Sequence, residues 1–258
     1  MPELGIQLYS VRDFMKSEDR IKYTFGELAR YGYTEVQTAG MPIPYEAFAK
    51  IAADAGLKVC GTHSPWSLFE DMDECIRVHK VLGTTNAGVG GMPHIFDGVI
   101  PLETVKNFAE DVKRIAKILA ENGMKFTYHH HAREFSKIDG DKTIMDIFLS
   151  EFDPETVSIV ADTYWLQHAG VSVTDWIEEH GDRIDILHLK DKNVPLGKSD
   201  GAITELGNGN INFKKVIDVA KKKGITHFCY EQDYGWEVDP LESAKQSAEY
   251  IKQFVLKA

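Results

Sequence analysis

Positive charge is in short supply in this chain. Of 258 residues, 29 are Lys or Arg against 40 Asp or Glu, a formal net charge of −11. A surface that binds a phosphate backbone gains affinity by neutralising it with cations, so a nucleic-acid partner is not expected. The one dense basic run, residues 221–223, falls at a helix end, where cations suit the helix dipole. Cysteine is scarce as well: Cys60, Cys75 and Cys229 are odd in number, scattered and without CxxC spacing. They read as reduced, mostly buried thiols. No apolar run approaches the roughly 18 residues of a membrane-spanning helix. Residues 1–13 lack a basic stretch followed by a long apolar one, so no secretory leader is expected. These absences together predict a soluble, cytoplasmic protein.

Several catalytic signatures are missing too. The first strand-like run, LGIQLYSVRD, is not followed by the glycine-rich turn of a doubly wound nucleotide fold. No G-x-S-x-G elbow occurs, which removes that route to a serine nucleophile. The segment LGNGNINF, residues 206–213, lacks the Lys-Ser/Thr of a P-loop and reads as a tight turn entering a helix. No proline- or serine-rich linker interrupts the chain, so one domain over residues 1–258 is expected.

What is present is a regular alternation of strand-like and helix-like segments. Short apolar runs at 4–9, 35–38, 58–62, 86–90, 125–129, 157–161, 185–189 and 227–231 read as buried parallel strands. Residues 45–54, 104–121 and 241–254 carry apolar side chains at three- and four-residue spacing, as helices do. Gly32, Gly56, Gly83, Gly123, Gly181 and Gly224 are expected to close helices in the left-handed conformation. Pro44, Pro101 and Pro240 mark helix starts. About eight strand–helix units at a spacing of roughly 30 residues predict a (β/α)8 TIM barrel with eight parallel strands.

Four of these runs end in acids or histidines. KFTYHHHAREF leads into His129, His131 and Glu134; SIVA into Asp162; ILHLKD into His188, Lys190 and Asp191; HFCY into Glu231 and Asp233. Alone, Asp162 reads equally well as a helix cap, His188 as a satisfied polar residue and Glu231 as a solvated acid. In a barrel, however, strand C-termini converge on one face. Two carboxylates and an imidazole gathered there suit one divalent ion, Mn²⁺, Co²⁺, Mg²⁺ or Zn²⁺. For the fourth ligand the favoured reading is Glu134, reaching back from its loop, with His129 and His131 lining the pocket; the alternative makes His129 or His131 the ligand. Strand alternation sends His130 to the opposite side. Lys190 shares the face of His188 and suits a role at a substrate oxygen. Gln7, Arg12, His63, Trp165 and Trp236 are further strand-end candidates for substrate contact, with Tyr9 and Trp66 beside them. For the tryptophans, loop packing is an equal alternative.

These segments, with GIQLYSVRD, GYTEVQTAG, THSP, ADTYW, RIDILHLKD, LGNGNINF and YEQD, resemble the sugar phosphate isomerase/epimerase superfamily of xylose-isomerase-like barrels. The resemblance runs nearly end to end and implies one metal held by strand-end Glu, Asp, His and Glu. Asp162, His188 and Glu231 match that pattern by position. Two departures stand out: His129 occupies the place of the fifth-strand glutamate, and Gln37 that of a second-strand carboxylate. The expected function is a metal-dependent isomerase or epimerase of a sugar or keto-sugar, working through a metal-stabilised enediolate with Glu231, His129 or His131 as base. The alternative is a dehydratase or lyase eliminating from an inosose or 3-keto-glycoside. A non-catalytic sugar-binding barrel or an abasic-site endonuclease ranks below both. Few cations stand at strand ends beyond Arg12, Arg133 and Lys190, which favours an unphosphorylated sugar; a homo-oligomer is compatible with such a barrel.

Overall fold

Eight parallel strands form the centre of the computed structural model, which describes residues 2–197 and 201–256. They are β1 (Glu3–Gln7), β2 (Glu35–Ala39), β3 (Lys58–His63), β4 (Asn86–Val89), β5 (Lys125–His129), β6 (Val157–Asp162), β7 (Ile184–Leu189) and β8 (His227–Tyr230). The ladder runs β3-β2-β1-β8-β7-β6-β5-β4. Its two ends meet, with the Ser64 N–H donating to the Gly88 carbonyl at 2.8 Å and the Asn86 side chain donating to the Cys60 carbonyl at 2.9 Å. The expected (β/α)8 barrel is therefore observed, and each strand agrees with its predicted run to within two residues. No described helix is long and apolar enough to cross a membrane.

Around the barrel lie α1 (Glu18–Tyr31), α2 (Tyr45–Asp54), α3 (Met72–Leu82), α4 (Leu102–Glu121), α5 (Ile144–Glu151), α6 (Thr163–His168), α7 (Val173–His180), α8 (Phe213–Lys222) and α9 (Pro240–Val255). In α4 the buried residues are Val105, Phe108, Ala109, Val112, Ile115, Ala116 and Leu119, spaced by three and four. That stripe faces the sheet, and each large side chain removed from water contributes roughly 1.5–3 kcal/mol. Strand alternation divides the two cores. Phe228 and Tyr230 point outward into the helix-covered core, whereas Cys229 packs inward with Cys60, Val160 and Ile186. Glu231, two residues on, follows the inward direction to the barrel mouth.

Five of the six expected glycine caps adopt positive φ: Gly32, Gly56, Gly83, Gly123 and Gly224. Gly181 does not. Its φ is −58°, and the chain continues directly into a short 3-10 turn. Close packing explains its glycine instead, since an added Cβ would sit 2.5 Å from the Lys223 stem.

The loop after β7 contains a small antiparallel hairpin, Asp191–Asn193 against Ala202–Thr204. Asp191 is fully buried and receives four backbone N–H groups, from Lys192 (2.8 Å), Gly207 (3.0 Å), Gly209 (3.1 Å) and Ile211 (3.2 Å). The GNG segment is thus a nest for an internal carboxylate. Gly209 has no side chain because a Cβ there would collide with Asp191. Asn212 then caps α8 by accepting from the Lys215 N–H. Asp191→Ala strands several buried donors and is expected to cost about 3 kcal/mol in urea denaturation, with Asp191→Asn costing less.

Candidate metal centre and substrate cavity

The ends of β5, β6, β7 and β8 bring four buried side chains together. The candidate donor atoms of His129, Asp162, His188 and Glu231 all lie within 4.8 Å of one another. His188 Nδ1 is 2.9 Å from Glu231 Oε2 and 3.8 Å from Asp162 Oδ2. His129 Nε2 is 3.4 Å from the same Asp162 oxygen. Asp162 divides its two oxygens: Oδ1 accepts the Trp165 N–H at 3.0 Å and caps α6, while Oδ2 faces the cluster. The cap and the site reading are both satisfied by one residue.

Neighbours fix the orientation of the set. His188 Nε2 lies 2.5 Å from Gln37 Oε1, which leaves Nδ1 turned to the carboxylates. Gln7 Nε2 donates to the same Gln37 oxygen at 3.0 Å and lies 3.1 Å from His63 Nδ1. A neutral amide at position 37 thus does the orienting that a carboxylate does for many ligand histidines. His130 faces away, as alternation predicts; its Nε2 accepts the Asp162 N–H at 3.1 Å.

Lys190 is buried beside the cluster, with its ammonium 2.8 Å from Glu231, 3.0 Å from Asp233 and 3.2 Å from Asp162. Burial opposes its charge, but the three carboxylates outweigh that and hold its pKa well above the ordinary lysine range. Reciprocally, burial works against ionised Asp162 and Glu231, yet Lys190 and the imidazoles keep both well below the usual carboxylate range. His188 is desolvated too, but Glu231 and Asp162 raise it to about 10. His63, His129 and His131 are pushed down, chiefly by burial. Asp233 rises to about 6 through burial and the neighbouring Glu231.

Above the cluster opens a cavity of about 900 Å³ whose lining includes His63, His129, His131, Trp165, Lys190 and Glu231. Arg12 also lines it, although its guanidinium donates to the Tyr9 and Asp233 carbonyls and lies over the Tyr9 and Trp236 rings. It therefore clamps the β8 loop to the β1 turn. Two of the lining residues, His63 and Trp165, carry a fully buried ring nitrogen, Nε2 and Nε1, with no protein partner. Tyr45, Phe96 and Tyr234 complete the aromatic wall. Sequence reasoning passed over these three, because single aromatics in loops carry no spacing signal.

Three expected site residues stand elsewhere. Glu134 is outside the donor set: the Tyr128 hydroxyl donates to it at 2.7 Å and the His131 N–H at 2.9 Å. The 3-10 turn Ala132–Phe135 folds it back on its own strand end, so His129 takes the fourth position. Gln7 lies beneath the cavity rather than on it, and Trp236 sits behind Arg12. Trp66 packs against Phe69 and Phe108, the loop-packing alternative.

Two imidazoles and two carboxylates form a donor set that could hold a divalent metal ion. The sequence profile of xylose isomerase-like TIM barrels matches residues 25–254. Inosose dehydratase of Clostridium perfringens is 30% identical over 177 residues, covering 62% of this chain; the match spans 58% of that relative's length. A sugar phosphate isomerase/epimerase of Parabacteroides distasonis has the same fold, at a TM-score of 0.81, 22% identity and coverage of 99% of this chain and 96% of that one. A xylose isomerase-like barrel protein of Mycobacterium smegmatis, solved in complex with magnesium, superposes at a TM-score of 0.75 with 17% identity, covering 99% and 97%.

Burial raises the Glu134 carboxyl to about 7, against the partly compensating Tyr128 and His131 hydrogen bonds. A folded pKa above the unfolded value adds stability below about 4.5 that is lost as pH rises through about 7. Thermal melts should therefore show wild type losing stability relative to Glu134→Gln across that window.

Proposed function

The chain belongs to the xylose isomerase-like TIM barrel family, and we propose that it is a divalent-metal-dependent enzyme that isomerises or epimerises a sugar or keto-sugar. The observation that supports this most directly is the buried set His129, Asp162, His188 and Glu231 at the floor of an aromatic-walled cavity. Lys190 and His188 already pair the two carboxylates, so it is the convergence of four metal-donor side chains on one point, and not burial of charge alone, that supports a cation site. When bound, the cation would supply Lewis acidity to a substrate carbonyl and acidify the neighbouring C–H.

The chain's own residues carry the remaining work. Gln37 holds His188 in the tautomer that presents Nδ1 to the cluster. Glu231, His129 and His131, all on the cavity lining, are the candidates to take up the proton from carbon. Return of the proton to the neighbouring carbon isomerises, and return to the opposite face epimerises. Lys190 steadies the developing charge on oxygen, and Trp165, Phe96 and Tyr234 exclude water and offer flat faces to sugar C–H bonds. Net negative charge, with Arg12 and Lys190 the cations among the described lining residues, argues against a nucleic-acid substrate.

A second reading, dehydration or lysis of an inosose or 3-keto-glycoside, shares the proton abstraction. It is supported by the inosose dehydratase relatives and by the histidines His63, His129 and His131 on the cavity lining, which could serve a leaving group.

The test begins with elemental analysis of protein purified without a metal-affinity tag. About one Mn, Co, Fe or Zn per chain is expected, with loss in His188→Ala and roughly 10–100-fold weaker binding in Gln37→Leu. Keto-sugars incubated in deuterium oxide should then gain deuterium beside the carbonyl. Retention of every substituent marks isomerisation or epimerisation, whereas release of water or an aglycone marks elimination. Full turnover after removal of all metal would sink the proposal.

A further inference from the structure

A second cluster of donor groups lies inside the barrel, towards the opposite end from the substrate cavity. Glu35 from the start of β2, Cys60 from β3 and Cys229 from β8 are buried, and their donor atoms lie within 4.8 Å of one another. The two sulfurs are 3.6 Å apart. His227, at the start of β8, sets Nδ1 2.9 Å from both Glu35 oxygens. Its ring is partly exposed and lines a cleft of about 480 Å³ at the lower mouth, together with Asn86, Lys125 and Asp185. Gly5 permits the approach of the donors, since a Cβ there would stand 2.7 Å from the Cys229 sulfur and 3.0 Å from Glu35 Cγ.

We propose that Glu35, Cys60 and Cys229 form a second cation site, selective for thiophilic divalent ions of the zinc class, with His227 orienting the carboxylate from the lower cleft. Zinc–thiolate bonds of about 2.3 Å in tetrahedral geometry place two sulfurs roughly 3.8 Å apart, close to the observed spacing. Carboxylates that ligate a metal are themselves hydrogen-bonded, and His227 does this for Glu35. The donors differ in kind from those above: sulfur here, only nitrogen and oxygen at the barrel mouth, so the two sites favour different ions. Barrel interiors are ordinarily filled by branched aliphatic side chains. Among the described buried apolar residues, Val160 and Ile186 cluster with the two thiols, and Asn86 donates to the Cys60 carbonyl beside them. Binding exchanges two S–H bonds for two sulfur–metal bonds, and the two protons leave to solvent; nothing is oxidised or reduced.

The experiment is a titration of the reduced, full-length, untagged protein with Cd²⁺, following thiolate-to-cadmium charge-transfer absorption in the ultraviolet. Nitrogen and oxygen ligands give no such band, so the upper cluster is silent. His188→Ala should saturate at one equivalent and wild type at between one and two, since the upper cluster takes up Cd²⁺ without a band; Zn²⁺ should abolish the band by competition. Cys60→Ser and Cys229→Ser should each lose it, and Glu35→Gln should need at least tenfold more Cd²⁺ at its midpoint. Circular dichroism checks the folding of the variants, but the wild-type titration decides by itself. No band in wild type, or an undiminished band in the folded serine variants, overturns the proposal. So does a count of one free thiol rather than three in protein unfolded without reductant, which would make Cys60 and Cys229 a disulfide.

Discussion

Lys190 carries an ammonium into the barrel mouth, and three carboxylates close on it. Most of the surrounding structure follows from the need to keep that charge compensated out of water. Asp162 and Glu231 remain ionised because Lys190 and His188 stand beside them, and Lys190 remains charged because they do. Removing one partner from such a network leaves the rest uncompensated, which is far more costly than the net value of any pair. Thr163 serves the same end: its hydroxyl accepts the Lys190 N–H at 2.9 Å and lies 2.9 Å from the Lys190 carbonyl, fixing the strand end from which the side chain projects.

The same economy recurs in the β7 loop. Asp191, next in sequence to Lys190, turns the other way and is satisfied entirely by backbone N–H groups. Adjacent residues thus take opposite solutions to burial: one charge is paired with side chains, the other is cradled by main chain. The glycines of LGNGNINF belong to the second solution, and the turn they form delivers the chain into α8.

The strands and their chemical tips were legible because both signals are local. A short apolar run bounded by turn residues has few alternatives to a buried strand, and an acid at its tip lies within two residues of the core edge. Glu134 shows where local reading stops. An acid three residues beyond a strand-end histidine is equally the pattern of a turn that caps itself, and here the His131 N–H and the Tyr128 hydroxyl take the carboxylate. Arg12 lines the cavity but bonds to the Tyr9 and Asp233 carbonyls, and Trp236 stands 5.1 Å from its guanidinium and off the lining. Gly181 was legible as a glycine position and misread in conformation, because its neighbour Lys223 comes from a different helix.

By itself the sequence determined the eight-unit rhythm, the apolar stripes of the helices and the gathering of acids and imidazoles at strand ends. Those depend on residues a few positions apart, where backbone geometry dictates who faces whom. Tertiary structure decided which groups meet: His129 rather than Glu134 with Asp162, Gln37 against His188 across 151 residues, and Cys60 against Cys229 across 169. Barrel closure sets those distances, through strand register and the bulge between Val36 and Gln37, and no local pattern encodes a register between distant strands.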